Sequence, residues 1–117
     1  MEYQFEKLTV WQRGMELVEQ AYRVTRDFPK DEQFGLTAQL RRAAVSVPLN
    51  IAEGKGRYHT KAFIQFLYQA RGSLFEVMTL VKVSLKLEYL KEPDALGLLE
   101  LCGRLAGGIN GLINSMK

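Results

Sequence analysis

The residues with the clearest chemical potential are basic side chains concentrated in the middle of the chain. Between Leu40 and Arg71 the only acidic residue is Glu53, whereas the basic residues are Arg41, Arg42, Lys55, Arg57, Lys61 and Arg71. The remainder is nearly balanced, and the net charge is only +3. Local positive charge binds phosphate groups, and aromatic rings beside it can stack on bases.

Six of these central residues are candidates for nucleic-acid binding. The candidate phosphate contacts are Arg41, Lys55, Arg57 and Lys61. Tyr58 and His59 lie between them and are candidates for base stacking. The alternative is that the same charges form a solvated helix face and loop with no ligand.

Residues suited to catalysis or metal binding are nearly absent. His59 is the only histidine and Cys102 the only cysteine, and they are far apart, so we expect neither a zinc site nor a Cys-His nucleophile pair. The segment "GKG" at 54–56 lacks the spacing of a phosphate-binding loop, and no strand precedes it. We predict a protein without enzymatic activity, cofactor or metal.

Two further lines of polar residues follow helical spacing. One consists of Arg42, Ser46, Asn50 and Glu53, and the other of Gln65, Gln69, Ser73 and Glu76. If the two segments are antiparallel helices joined near His59, the residue numbers of any two facing residues add up to nearly the same total. This register pairs Arg42 with Glu76, Ser46 with Ser73, Asn50 with Gln69, and Glu53 with Gln65.

We interpret these paired lines as a buried polar network that fixes the register of the two helices. Under this interpretation Arg42→Ala lowers the melting temperature sharply, because it leaves the buried carboxylate of Glu76 without its partner charge. The alternative is a polar ligand groove or a subunit contact.

The elements that position these residues are helices, and no segment has the pattern of a strand. A first helix is predicted from Thr9, with Thr9 and Gln12 as a capping box, to near Pro29. A second helix is predicted from about Asp31 to Glu53. Pro48 lies inside the second helix, where it removes one hydrogen bond, so we expect a bend there.

The third helix is predicted from an N-cap at Thr60 to about Tyr89. Beyond its core face it carries a second apolar line on the side that should face outward, formed by Ile64, Tyr68 and Phe75. A helix that is apolar over most of its circumference is usually buried on more than one side. In so small a bundle this pattern favours a homo-oligomer, and the alternative is a few aromatic side chains tolerated at the surface.

The fourth helix is predicted to begin at "KEPDAL", because proline and aspartate are typical of a first helical turn. Its glycines Gly103, Gly107 and Gly111 recur every four residues, with Gly108 beside them. Two explanations remain open for them. Either another backbone approaches this helix closely, or the helix frays toward its end.

Length and composition predict a single domain, residues 1–117, because 117 residues are too few for two ordinary domains. Short connections between the helices predict an all-α, antiparallel up-down-up-down four-helix bundle. One cysteine permits no intramolecular disulfide, and neither a signal-peptide pattern nor an apolar run of membrane-spanning length is apparent. We therefore expect a cytoplasmic protein without a membrane partner.

The segment "QLRRAAVSVPLNIAEGKGR" (39–57) resembles the signature of the 23S rRNA intervening-sequence proteins, which are small bacterial four-helix bundles. The flanking segments "FEKLTVWQRGMELV" (5–18) and "FLYQARGSLFEV" (66–77) are similar to the adjoining parts of that family. The resemblance covers about residues 5–90, and the fourth helix matches only in type. It implies the four-helix bundle fold.

For function the resemblance implies less. The family is named for genes found inside insertions in 23S rRNA genes, although many members lie elsewhere. A related group with a similar fold forms pentameric barrels that assist reverse transcriptases and bind nucleic acid through basic surface. The resemblance therefore implies a homopentamer that binds RNA or another nucleic acid. The alternative is a protein-interaction scaffold or accessory protein, for example to a reverse transcriptase.

Overall fold

The computed structural model describes residues 1–117 and contains four α-helices without any strand. Helix α1 spans Thr9–Thr25, α2 spans Leu36–Lys55, α3 spans Thr60–Lys86, and α4 spans Glu92–Ser115. Short 3-10 turns precede α1 and α2, at Gln4–Lys7 and Lys30–Glu32. The prediction of an all-helical fold is confirmed.

Each helix packs against its neighbour in sequence, and α1 also packs against α4, whereas the backbones of the diagonal pairs stay farther apart. Facing residues run in opposite order along consecutive helices. Between α2 and α3, for example, Ser46 faces Ser73 and Gly54 faces Phe66. The result is a four-helix bundle with antiparallel neighbours, as short connections require.

The core is formed by one apolar stripe from each helix. On α2 the stripe is the predicted one, and all five of its members are buried: Leu36, Leu40, Ala43, Val47 and Ile51. Helix α3 contributes Leu67, Leu74 and Val77, each with no exposed surface. Burial of these side chains is the main stabilising contribution to a bundle of this size.

Two glycines allow the helices to approach closely on either side of α2. A Cβ atom on Gly14 of α1 would lie 3.2 Å from the Pro48 Cβ, so the proline ring fills the space beside this glycine. Helix α2 is continuous through Pro48. A Cβ atom on Gly54 would lie only 2.6 Å from the Phe66 Cβ on α3. The proline and both glycines therefore serve helix packing.

The predicted start of α1 at Thr9 is confirmed, whereas one other helix start and two capping roles need correction. Helix α2 begins at Leu36 rather than Asp31, because Gly35 departs from helical geometry and the Glu32 carboxylate accepts the Leu36 N–H at 3.1 Å. Thr9 and Thr60 are the first residues of their helices rather than N-caps. The predicted capping box at Thr9 is absent, since the Gln12 side-chain amide donates to the Glu6 carbonyl oxygen at 2.7 Å.

Helix α3 ends three residues before the predicted Tyr89. The Tyr89 N–H donates to the Ser84 carbonyl at 2.9 Å, and the Glu88 N–H donates to the Leu85 carbonyl at 3.0 Å. Glu88 has a φ of 63°, in the left-handed region that usually holds glycine. The helix is thus closed by a Schellman-type turn without a glycine, which the sequence pattern did not indicate.

The outward apolar line predicted on α3 is mostly covered within the chain. Ile64 and Tyr68 are partly buried against the core, whereas Phe75 is 56% exposed. The guanidinium of Arg71 and the amino group of Lys117 lie over the Tyr68 ring, at 4.8 and 5.8 Å from its centroid. Of the predicted apolar line on α3, only Phe75 is therefore left exposed for a contact between subunits.

The three regularly spaced glycines of α4 fit neither explanation within one chain. Gly108 beside them does pack closely against α1, because a Cβ atom there would lie 2.9 Å from the Val10 Cγ1. The helix continues to Ser115, beyond all of them, so it does not fray there. A Cβ atom on Gly103, Gly107 or Gly111 would meet nothing within 4 Å, so no backbone of this chain approaches them. They lie on the outer face of α4 and are open to solvent.

Helix α4 is the one helix that is long and apolar enough to cross a membrane, judged by length and composition alone. The sequence prediction that no apolar run reaches this length is wrong. The finding is weak evidence for a membrane segment, because core helices of soluble proteins have similar composition. Leu98, Leu101 and Leu105 of α4 are buried in the bundle core.

Candidate nucleic-acid interface

The turn between α2 and α3 presents two aromatic rings at one end of the bundle. Helix α2 is closed at Gly56, whose N–H donates to the Ala52 carbonyl at 3.1 Å. Tyr58 is 95% exposed, and His59 is exposed beside it. The two rings meet edge to face, with centroids 4.9 Å apart and an angle of 89° between their planes. Both rings keep accessible surface, so they can stack on bases without any rearrangement of the helices.

Three basic residues surround this turn in different environments. The Arg57 guanidinium pairs with Glu53 at 3.3 Å, and both side chains remain about half exposed. It also lies over the Phe66 ring, 4.8 Å from its centroid, which fixes its direction. The Lys55 amino group lies 5.7 Å from the Phe63 centroid, and Lys61 is exposed without a salt bridge. The exposed ion pair contributes little to stability, and salt screens it.

Arg41 does not belong to this turn. It precedes Lys55 by fourteen residues on α2, which is about 21 Å along a helix that rises ~1.5 Å per residue. Its Nε donates to the Thr25 hydroxyl at 2.8 Å, and its guanidinium lies 4.5 Å from the Tyr22 centroid. The structure thus brings five of the six predicted binding residues together and places Arg41 near the other end.

Charge is distributed unevenly between the two halves of the bundle. The half that contains the α2–α3 turn comprises residues 1–14, 48–72 and 105–117, with seven basic and three acidic residues. The other half has nine basic and ten acidic residues. The excess positive charge of the chain therefore lies in the half that carries Tyr58 and His59.

The two polar lines meet in the predicted register, but only their centre is joined. The hydroxyls of Ser46 and Ser73 are hydrogen-bonded at 2.8 Å. The Asn50 amide donates to the Ser46 carbonyl at 2.8 Å and to its hydroxyl at 3.0 Å. These three residues are partly buried, and they form a short polar contact between α2 and α3.

The outer members of the two lines do not form the predicted buried network. Arg42 and Glu76 are exposed and form no ion pair, and Glu53 pairs with Arg57 instead of contacting Gln65. Gln65 and Gln69 are also exposed, and the Asn50 amide bonds within α2 rather than to Gln69. These longer side chains lie at the outer edge of the helix interface, where water solvates them better than a partner would.

The sequence pattern did not identify a groove of about 710 Å³ on the outer side of α1 and α2. Phe34, which is 91% exposed, and Leu49, which is 59% exposed, lie along it. Val45 and Arg42 are also on its wall. The signal was present as a second apolar line, offset from the core stripe, at Phe34 just before α2 and at Ala38, Val45 and Leu49 on it.

Two other titratable groups have raised pKa values. Cys102 is fully buried, and burial raises the pKa of its thiol to about 12. The Tyr89 hydroxyl donates to the Glu32 carboxylate at 3.2 Å, and desolvation together with that acceptor raises the pKa of the phenol. No cluster of three or more histidine, cysteine, aspartate or glutamate residues is placed to hold a metal ion.

Comparison with known proteins identifies the fold and the family. The bundle is similar to a crystal structure of a protein of unknown function from the S23 ribosomal protein family of Bacteroides thetaiotaomicron. The TM-score is 0.81 at 17% identity, over 90% of this chain and 98% of that one. At this identity the likeness shows the fold alone. No curated protein matches the sequence significantly.

The family assignment rests on a match over nearly the whole chain. Residues 6–111 match the family described as 23S rRNA-intervening sequence protein. The match includes α1, α2 and α3, the complete α2–α3 turn and most of α4. Neither this family nor the similar crystal structure indicates a catalytic activity. The chain belongs to the 23S rRNA-intervening sequence protein family.

Proposed function

We propose that this protein binds RNA, or another nucleic acid, without catalysing a reaction, through the α2–α3 turn at the basic end of its bundle. The observation that carries the proposal is the placement of exposed Tyr58 and His59 between Arg57 and Lys61. An aromatic pair flanked by cations offers stacking to bases and charge to phosphates in one small surface.

The physical strength of this surface is modest in a single chain. Arg57 is partly neutralised by Glu53, and Lys55 is only partly exposed, so Lys61 is the most accessible full charge. Each phosphate contact releases condensed counterions, which makes affinity fall steeply with salt. A binding mode with so few contacts needs repetition to become tight.

The proposal therefore includes self-association. Phe34 and Leu49 expose large apolar surface along the outer groove of α2, and Phe75 and Leu96 do so on α3 and α4. Covering such residues with a second copy would remove them from water. The homopentamer implied by the family resemblance is the assembly that we propose. Five turns in a ring would raise avidity without a high charge on each subunit.

Native mass spectrometry of the protein purified from cells at low salt tests both parts. We expect a homo-oligomer with retained nucleic acid that is removed by nuclease or by high salt. A control sample carrying Lys82→Gln and Lys86→Gln, on exposed residues of the other half, should retain the same material. A monomer contradicts the assembly. A complex with another polypeptide and no nucleic acid favours the accessory-protein function instead.

A further inference from the structure

A second basic location lies about 21 Å along α2 from the turn, at ~1.5 Å of rise per residue. It is a pocket of about 230 Å³ between the end of α1, the following 3-10 turn and the start of α2. Its walls include three basic side chains and no acidic one: Arg26, Lys30 and Arg41. We refer to it as the Arg41 pocket.

Arg41 is held in place by groups that leave its charge available. Its Nε donates to the Thr25 hydroxyl at 2.8 Å, and Thr25 donates in turn to the Ala21 carbonyl at 2.7 Å. The guanidinium lies over the Tyr22 ring. Its two terminal nitrogens donate to no group of this chain, so they remain a fixed fork of donors that suits a tetrahedral oxyanion.

Thr37 supplies an independent indication of a ligand. The residue is only 7% exposed, and its hydroxyl has no hydrogen-bond partner in the chain. No buried side-chain oxygen or nitrogen is both unpaired and sealed from solvent, so this hydroxyl opens toward the Arg41 pocket and the adjoining groove. Because this hydroxyl has no partner within the chain and is reached by solvent, it is free to donate to an oxyanion bound in the pocket.

The nearby acidic residues do not neutralise the pocket. Asp27 and Asp31 adjoin Arg26 and Lys30 in sequence, but neither lies on its walls and neither forms a salt bridge. Each oxygen of the Glu32 carboxylate is already engaged: Oε1 accepts from the Leu36 N–H, and Oε2 accepts from the Tyr89 hydroxyl. The only salt bridge within the chain is between Arg57 and Glu53. The cations of the Arg41 pocket therefore have no carboxylate partner.

We propose that the Arg41 pocket binds a phosphate group. The Arg41 fork would hold two oxygens, the Thr37 hydroxyl would donate to a third, and exposed Arg26 and Lys30 would close over the anion. The same chemistry is available from a nucleotide or from the backbone of a nucleic acid. All residues of the Arg41 pocket belong to one chain and none belongs to the α2–α3 turn, so phosphate binding here does not depend on nucleic-acid binding at the turn.

Nuclear magnetic resonance of the full-length 15N-labelled protein tests the pocket directly. Inorganic phosphate, adenosine 5′-monophosphate and a short single-stranded RNA are titrated separately against chloride at matched ionic strength. We expect all three phosphate compounds to shift the Arg41 Nε–Hε and Thr37 amide signals in a saturable way. Shifts that match those in chloride would overturn the proposal.

Variants separate this pocket from the turn. Arg41→Gln should weaken phosphate binding about tenfold or more, as expected for loss of a charge-assisted hydrogen bond. Thr37→Val retains shape and should weaken it several-fold, so one informative variant remains if Arg41→Gln unfolds. Arg42→Gln, with the same charge change one residue later, should bind phosphate like the original protein. Equal loss in Arg41→Gln and Arg42→Gln, with none in Thr37→Val, would indicate general electrostatics and overturn the pocket.

The arms of the titration also identify the source of the phosphate. Saturation by adenosine monophosphate with no added affinity for RNA would assign the pocket to a small phosphate ester. Loss of RNA affinity in Thr37→Val would assign it to a nucleic-acid backbone. RNA binding that depends on Arg57 and Lys61, with no phosphate response at Arg41, would leave the proposed function intact and refute the pocket alone.

Discussion

Gly54 of α2 lies so close to Phe66 of α3 that a Cβ atom on residue 54 would be 2.6 Å from the Phe66 Cβ. The Phe63 ring would lie at 3.0 Å from the same point. This contact joins α2 and α3 immediately before the α2–α3 turn. The position of Tyr58 and His59 therefore depends on a glycine that touches no ligand.

Gly54→Ala should destabilise the protein by about 2 kcal/mol, because overpacking against a phenylalanine Cβ forces the helices apart. Gly72→Ala is the matched control, since nothing lies within 4 Å of a Cβ at that position of α3. It should stabilise the protein by about 1 kcal/mol through helix propensity. Urea denaturation measures both, and a neutral Gly54→Ala would contradict the close approach.

The Ser46–Ser73 hydrogen bond should couple α2 to α3. A double-mutant cycle of Ser46→Ala and Ser73→Ala is expected to give a coupling free energy of about 1 kcal/mol, as for a neutral, partly buried hydrogen bond. The cycle cancels the gain in helix propensity that each alanine brings. Strictly additive effects on the free energy of unfolding would show that the two hydroxyls do not interact.

Arg42→Ala should change the free energy of unfolding by no more than about 0.5 kcal/mol, because the side chain is exposed and unpaired. The buried-network interpretation of the sequence predicted a sharp loss instead. Thermal denaturation at low protein concentration distinguishes the two. A large decrease in melting temperature would mean that Arg42 is buried by a contact outside the single chain.

Glu88→Gly should stabilise the end of α3 by about 0.5–1 kcal/mol, because residue 88 has a φ of 63° and glycine adopts this conformation without steric cost. Glu88→Ala, which retains the Cβ, serves as the control and should give no such gain. Equal stability of the two variants would indicate that the left-handed conformation is not strained.

Cys102 should resist thiol reagents in the folded protein, because it is fully buried and its pKa is raised to about 12. Labelling at pH 8 should be slow in native buffer and fast in urea. The raised pKa also has a sign for stability. The thiol's contribution to the free energy of unfolding is constant at pH values below 9.0, the pKa of the unfolded thiol. It is lost as the pH rises from 9.0 to about 12, because the unfolded thiol releases its proton before the folded one does.

That alkaline loss can be measured as the change in urea midpoint between pH 8 and pH 10.5. Cys102→Ala, although less stable overall, should lack this component of the pH dependence. Fast labelling of the native protein would contradict the burial of the thiol.

The periodicity of the sequence was sufficient to predict the four helices and the core face of α2. It also placed Ser46 opposite Ser73, because antiparallel helices joined by a short turn fix the register of facing residues. The five turn residues were expected to lie together because they are close neighbours in the sequence. Their grouping follows from local sequence and needs no long-range packing.

The remaining features depended on contacts that periodicity does not encode. Arg41 is partly buried beside α1. Its hydrogen bond to Thr25 and its contact with the Tyr22 ring depend on how α1 packs against α2. The start of α2 follows from the non-helical geometry of Gly35 and from the Glu32 carboxylate, which accepts the Leu36 N–H. A glutamate at the left-handed position 88 has no sequence signal, since glycine is the usual residue there.

Fluorescence anisotropy with a labelled single-stranded RNA, repeated over a range of salt concentrations, tests the central claim most directly. The account predicts affinity that falls steeply and log-linearly with salt, and a shallower slope in the variant Arg57→Gln/Lys61→Gln. Tyr58→Ala should weaken binding by about 1–3 kcal/mol without changing that slope. The matched variant Lys82→Gln/Lys86→Gln should behave like the original protein. No binding at low salt, or identical slopes in all variants, would contradict nucleic-acid binding through the α2–α3 turn.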